Sequence, residues 1–289
     1  MEWSISNQIL TVAVGSLGGG LTHLIKGGVE YLWQGDPAFW TGQAPHLFPI
    51  VGRLTGGKAT VEGEPCSMGG HGFFRKREAA LVEKTTDSLT VEEVWDEETY
   101  AQYPRKWRVA LTYRLEKNTV LITFHVENLD EKTLWFYYGG HPGFRMPLED
   151  GLDFCDYRLK FSEPCAPKQM TLSDDFFMTG DAVPFPTESG EIRLRHSLFD
   201  RDAVVLTDVA KAVTLYAPGS DRSVTVSYPQ MTYLGLWHTP KTRAPFVCLE
   251  PWVDVPARQG VVEEISKKPH AIAVEPGASY ENTWSITLT

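Results

Sequence analysis

Residues 109–126 read VALTYRLEKNTVLITFHV, and their pattern decides the fold class. Val109, Leu111, Tyr113 and Leu115 alternate with polar or small residues, and after Glu116-Lys117-Asn118-Thr119 the alternation resumes at Val120, Ile122, Phe124 and Val126. Every second side chain of a strand points to the same face, so a period of two predicts a hairpin with one buried face. The pattern recurs outward from there. THLIKGGVEYLWQ (22–34) predicts a hairpin turning at Gly27-Gly28, and VTLYAPGSDRSVTVSYP (213–229) another turning through Pro218-Gly219-Ser220-Asp221. AIAVEPGASYENTWSITLT (271–289) supplies a last pair of strands around Pro276-Gly277. Helical periodicity is nearly absent; DEETYAQYP (96–104) predicts a turn or two before Pro104. The expected fold is therefore all-β: one large antiparallel β-sandwich over residues 1–289, with few short helices. The Pro-rich part from Ser162 to Pro186 reads as long loops within that domain.

Bulk properties narrow the function classes. A formal net charge of -10 leaves no basic surplus to meet phosphates, so neither nucleic acid nor an anionic membrane is an expected partner. No run approaches the roughly 20 apolar residues of a membrane helix. The first residues, MEWSISNQIL, lack a basic stretch followed by an apolar one, so no signal peptide is expected. Cys66, Cys155, Cys165 and Cys248 are scattered without a CxxC pair, which fits a reduced, cytoplasmic setting and argues against a zinc knuckle. Aromatic residues make up 12% of the chain, a share that suits flat sugar-binding surfaces as well as a core.

Four islands place a polar group in an apolar or glycine-rich setting. They are HLFPIVGRLTGG (46–57) with Arg53, GGHGFFRKRE (69–78) with His71, FYYGGHPGF (136–144) with His141, and FVCLEPWVDVP (246–256) with Glu250. Phe246 to Leu249 predict a buried strand with Glu250 emerging at its end. Burial beside Trp252 would raise that carboxyl and suit it to general-base work, the alternative being a surface or ion-paired glutamate. Gly140 and Pro142 constrain His141 and can aim its ring into a pocket; the alternative is a turn histidine bonded to backbone. His71 divides the same way, between a pocket group and a loop histidine over an aromatic ring. Arg53 is either a fork of donors for substrate oxygens or a structural ion-pair partner. Arg75, Lys76 and Arg77 read as a solvated edge. His23, His46, His125, His196, His238 and His270 carry no pattern that demands chemistry.

Other chemistries lack their signatures. There is no H-x-H or HExxH pair to pre-set a metal site, no G-x-S-x-G elbow, and no P-loop lysine after GSLGGGLTHL (15–24). A glycosidase needs a second carboxylate near Glu250, for which Asp254 and Asp202 are the nominees.

In this order, FPIVGRL (48–54), GGHGFFR (69–75), GGHPGF (139–144) and CLEPW (248–252) resemble the aldose 1-epimerase (galactose mutarotase-like) family, most of all its LacX-type branch. VENLDEKTLWFYYGGHPGF (126–144) strengthens the resemblance, and HSLFDRDAVVL (196–206) looks like the family segment that carries a substrate-binding aspartate. The resemblance implies a β-sandwich with its site on a concave face, and interconversion of the α and β anomers of an aldose without metal or organic cofactor. It implies Glu250 as the base that takes the C1 hydroxyl proton and His141 as the acid that protonates the ring oxygen. It further implies His71 as a second histidine near that oxygen, and Arg53 as a substrate-binding group. The aspartate is Asp200 or Asp202; Asp202, directly before Ala203-Val204-Val205-Leu206, is the preferred reading. Gly52 stands where typical galactose mutarotases carry an asparagine, which leaves the sugar open, 6-phosphorylated hexoses included. A non-catalytic carbohydrate-binding protein on the same fold is the alternative function, and the oligomeric state is not readable.

Overall fold

The computed structural model describes residues 1–289. The 109–126 stretch forms strands Trp107–Glu116 and Thr119–Asn128, antiparallel, with Glu116 opposite Thr119 and only Lys117-Asn118 between them. Lys117 takes a φ of 54°, the left-handed turn conformation that such a short loop requires. Val109, Leu111, Tyr113 and Leu115 are buried, as are Val120, Ile122, Phe124 and Val126. Burying side chains of this size stabilises by about 1.5–3 kcal/mol each, which fixes the register: a one-residue slip would turn the whole row into solvent.

This hairpin sits within a nine-stranded sheet. Its order runs from Glu191–Arg193 through Arg158–Phe161, Ala212–Tyr216, Ser223–Ser227, Ser279–Leu288, Thr119–Asn128, Trp107–Glu116 and Ser88–Val94 to Ala80–Lys84. An eight-stranded sheet contains Met178–Pro184, Lys168–Leu172, Val204–Thr207, Tyr233–Trp237, Phe246–Trp252, Gly139–Gly140 and His46–Leu47 in that order, with Gly143–Arg145 pairing to Phe246–Trp252. Smaller sheets flank them, including a four-stranded one from Glu2–Ser6 to Val29–Glu30 that contains the predicted Gly27-Gly28 hairpin. A cluster of 73 buried residues forms the main core, drawing on both large sheets.

Two expectations need correction. The Pro-rich stretch is not all loop: Lys168–Leu172 and Met178–Pro184 pair as an edge hairpin, because Met170, Leu172 and Met178 find apolar cover. The last two strands do not pair with one another; Ile272–Val274 pairs with Leu134–Phe136, while Ser279–Leu288 inserts between Thr119–Asn128 and Ser223–Ser227. Pairing is antiparallel in both large sheets, with one short parallel pair elsewhere, Glu263–Glu264 against Lys58–Val61. The helix before Pro104 spans Glu97–Gln102, and the Asp96 side chain caps it by accepting from the Thr99 N–H. No helix is long and apolar enough to cross a membrane.

Candidate active site

Glu250 lies inside strand Phe246–Trp252 and not at its end, with 1% of its surface exposed. Alternation explains how a carboxylate comes to be there. Val247 and Leu249 point into the main core, while Phe246 and Cys248 pack in a small second cluster with Trp33 and Ala244, bordered by Trp40 and Trp237. Glu250 continues the Phe246–Cys248 row. It stands opposite Gly235 on the neighbouring strand, and a Cβ built there would come 2.9 Å from the Trp252 ring and 3.2 Å from Glu250 Cβ. The missing side chain leaves the carboxylate its room.

His141 follows the Gly139–Gly140 strand; its N–H donates to the Pro45 carbonyl at 3.0 Å. Its Nε2 lies 3.1 Å from Glu250 Oε2. That approach is out of line for a hydrogen bond, and Glu250 Oε2 and His141 Nδ1 have no hydrogen-bond partner in the protein. The imidazole rests on Trp40 at a ring separation of 5.0 Å, with Trp237 at 5.8 Å and His71 at 5.6 Å, both edge-on.

His71 occupies a left-handed backbone conformation, φ 64°. A reciprocal pair of bonds pins it: its N–H donates to Gly52 O at 2.7 Å, and Gly52 N–H donates to its Nδ1 at 3.1 Å. With Nδ1 accepting, the neutral ring carries its proton on Nε2. Gly52 has φ 71°, and a Cβ there would fall 2.2 Å from Pro256 Cγ, so this tight return admits only glycine.

Arg53 follows that turn. Its guanidinium lies 3.6 Å from Asp202 Oδ2 and 5.2 Å from the Phe176 ring centroid. Asp202 also accepts from the Trp237 indole N–H at 3.1 Å. Asp200, by contrast, lines a separate shallow depression with Lys241 and Arg243. The structure therefore brings Glu250, His141, His71, Arg53 and Asp202 to one cleft of about 320 Å³.

Electrostatics favour neutral forms in the floor of that cleft. Burial first, and the Asp202 charge second, push the Glu250 carboxyl well above its ordinary range; the Trp252 indole N–H opposes them. Burial lowers His141 to about 3. Burial, together with the charges of His141, Arg75 and Arg53, pushes His71 well below its usual value. A carboxyl that keeps its proton beside an imidazole that resists one makes an electroneutral pair, and moving the proton between the two leaves the total charge unchanged. Such a pair can accept a proton at one substrate atom while delivering one at another.

Among the lining residues that sequence reasoning missed are Trp40, Trp237 and Arg75. Trp40 and Trp237 form walls, yet each lies in a stretch whose polar content is ordinary. Arg75 is no part of a solvated edge: it lines the cleft, with Nη2 donating to Gly70 O at 3.1 Å and a buried Nε that has no partner. The signal was its place four residues after His71. Lys76 is exposed as expected, and Arg77 binds Asp96 at 2.8 Å. Among the remaining histidines, His46 is a core group held between the Tyr138 and Tyr113 hydroxyls at 2.9 and 2.7 Å. His238 is buried and pairs with His196 at 3.0 Å outside the cleft. Asp254, a nominee for a second carboxylate, turns to Lys268 at 3.2 Å and lines a different cavity. The donor atoms of His141, Cys248 and Glu250 lie within 4.8 Å of one another, the one grouping at this site that could hold a metal ion.

The family model described as aldose 1-epimerase matches residues 1–287. The chain is 34% identical over a 301-residue alignment to the chromosomal protein LacX of Lactococcus lactis subsp. lactis, covering 100% of this chain and 99% of that one. Among solved structures, a galactose mutarotase related enzyme from Lactobacillus acidophilus superposes with a TM-score of 0.94 at 28% identity, over 100% of this chain and 97% of that one. A galactose mutarotase-like protein from Lactobacillus casei does so with a TM-score of 0.93 at 26% identity, over 100% of both.

Proposed function

The chain belongs to the aldose 1-epimerase family, and from that premise we propose that it is a mutarotase, acting as one unit over residues 1–289 and interconverting the α and β anomers of a hexose or related aldose. One observation carries the reading: Glu250 and His141 approach to 3.1 Å at the floor of a cleft walled by tryptophans. Ring opening of a hemiacetal needs one proton removed from the C1 hydroxyl and one added to the ring oxygen. The competent microstate is ionised Glu250 beside protonated His141. Glu250 takes the C1 hydroxyl proton, His141 delivers its Nε2 proton to the ring oxygen, and the C1–O5 bond breaks to give the open-chain aldehyde. The pair is then a neutral carboxylic acid and a neutral imidazole, the forms that burial favours. After rotation about C1–C2 the same transfers run backwards and close the opposite anomer.

The other residues fit supporting roles. His71, with its proton on Nε2, offers a donor beside the ring oxygen. Arg53 and Asp202 hold hydroxyls on the rim, and Trp40, Trp237 and Trp252 cover the apolar face of the sugar. Substrate hydroxyls donating to Glu250 favour its ionised form, as hydrogen bonds to a carboxylate do. Each positioned acid or base is worth roughly 10²–10⁴-fold.

The test is a panel of pure anomers, free and 6-phosphorylated, followed by polarimetry or NMR exchange. Catalysed equilibration that His141→Asn lowers by about 100-fold or more, with sugar binding retained, is the expected result. Saturable binding with no acceleration by the unmutated protein would instead make it a carbohydrate-binding protein. Arg75 favours including the phosphorylated arm, because its unpartnered Nε and the Arg53 guanidinium both border the cleft.

A further inference from the structure

Cys248 has no part in the proton transfers proposed above, yet it lies directly beneath them. It shares a strand face with Glu250, two residues away, and is fully buried. Its Sγ, the His141 Nε2 and a Glu250 carboxylate oxygen all lie within 4.8 Å of one another. We propose that these three atoms form a site for a thiophilic divalent cation of the zinc class, and that occupancy blocks the acid/base pair.

The geometry is close to what such an ion needs. Metal–ligand bonds of about 2.0 Å to nitrogen and oxygen and about 2.3 Å to sulfur imply donor-to-donor edges of roughly 3.3–3.7 Å in a tetrahedron. The His141–Glu250 separation of 3.1 Å is already of that size. With all three donors within 4.8 Å of one another, the sulfur must close in by no more than about 1 Å, a small side-chain adjustment. Glu250 Oε2 has no partner in the protein, so no existing hydrogen bond has to break to coordinate it. His141 and Glu250 both line the cleft, the side from which water would supply the fourth ligand. A mixed sulfur, nitrogen and carboxylate set suits zinc and disfavours magnesium and calcium, which prefer all-oxygen shells. His71 is not a ligand, since its Nδ1 is committed to the Gly52 N–H. His141 Nδ1 lacks the supporting partner that tight zinc sites give their histidines, so the ion is a reversible inhibitor and not a structural component.

Coordination is a ligand exchange with balanced protons. The cation loses two or more waters, the thiol and the carboxylic acid each release one proton to buffer, and nothing is oxidised or reduced. The bound ion then occupies the Nε2 and Oε2 positions that proton transfer requires; this consequence, unlike the site itself, rests on the mutarotase reading.

Direct binding tests the site without any sugar. Co²⁺ added to the full chain is expected to give a thiolate-to-metal charge-transfer band in the near ultraviolet, which one equivalent of Zn²⁺ abolishes by displacement. Cys248→Ser removes the band and weakens Zn²⁺ binding in calorimetry by more than the roughly 10–100-fold that loss of a supporting group costs, whereas Cys155→Ser, at an exposed thiol, leaves both unchanged. His141→Asn serves as the second ligand variant in case Cys248→Ser perturbs packing, and it too must weaken Zn²⁺ by more than that. No band in the unmutated protein, or Zn²⁺ binding unchanged in both ligand variants, overturns the proposal. If the band behaves as expected but no anomer exchange exists to inhibit, the site stands and the mutarotase reading falls. If exchange is catalysed and Zn²⁺ leaves it untouched at saturation, the inhibitory role falls.

Discussion

Replacing Glu250 by glutamine separates its chemical role from its cost to the fold. The amide has the same shape and cannot take the C1 hydroxyl proton. Loss of a positioned base of this kind lowers exchange by about 10²–10⁴-fold, which is about 2.7–5.4 kcal/mol of barrier at 1.36 kcal/mol per decade. Starting from a pure α anomer, polarimetry reads the rate directly. Stability should move the other way, and with a definite pH dependence. The folded carboxyl sits well above its ordinary range, mainly through burial, so between the unfolded pKa, about 4.3 for a glutamate, and the higher folded value the native state holds a proton that the unfolded chain has released. Stability of the unmutated protein therefore falls as pH rises through that window, by up to about 1.4 kcal/mol per pH unit from this one group. The glutamine variant lacks this term, so its stability advantage grows with pH. Glu93, raised to about 8 chiefly by burial, titrates in both proteins and cancels in the difference. Denaturant melts of the pair from pH 5 to 9 measure the gap. Exchange at the unmutated rate would remove Glu250 from the mechanism, and a gap that is flat or shrinks with pH would refute the electrostatic argument.

Three further outcomes follow from local geometry. His71→Gly and His71→Ala both lose the ring, but only glycine relaxes the positive φ of 64°, so the glycine variant should be more stable by about 1–2 kcal/mol in urea melts. Gly235→Ala drives a methyl to 2.9 Å from the Trp252 ring; it should cost about 1–3 kcal/mol in thermal or chemical unfolding and slow exchange by displacing Glu250. Asp202→Asn should raise KM for the sugar by losing the anionic partner of Arg53, while Asp200→Asn, which faces another depression, leaves KM alone; equal effects in the two would show that the wrong aspartate was assigned.

What could be read in advance was whatever is written locally. The hairpins at 109–126, 22–34 and 213–229 announce themselves because alternation and turn residues lie within one short window. The islands around Arg53, His71, His141 and Glu250 were visible for a similar reason: each sets a polar group among glycines or apolar residues. Illegible were the features decided by distant partners. Lys168–Leu172 and Met178–Pro184 look like loop because their apolar cover comes from elsewhere in the chain. Ile272–Val274 and Ser279–Leu288 look like a hairpin, and only long-range pairing sends them to different sheets. Trp40 and Trp237 are indistinguishable in sequence from core tryptophans, and Arg75 hides in a basic run whose other two members are ordinary surface groups. Glu250 was expected at a strand end because the apolar run Phe246 to Leu249 stops just before it, and a carboxylate buried mid-strand is costly. Gly235, 15 positions earlier in the sequence, is what accommodates it.

The strand Phe246–Trp252 sends Val247 and Leu249 into the main core, while Phe246 and Cys248 pack in the small second cluster and Glu250 lines the cleft. Glu250 is thus mounted on a strand whose seven residues are all buried, with no hinge between it and the scaffold. On the mutarotase reading, such a mounting gains stiffness and gives up adjustability. Warming it should not produce a loosened, still-folded intermediate of altered activity; turnover and tertiary structure should vanish in the same transition.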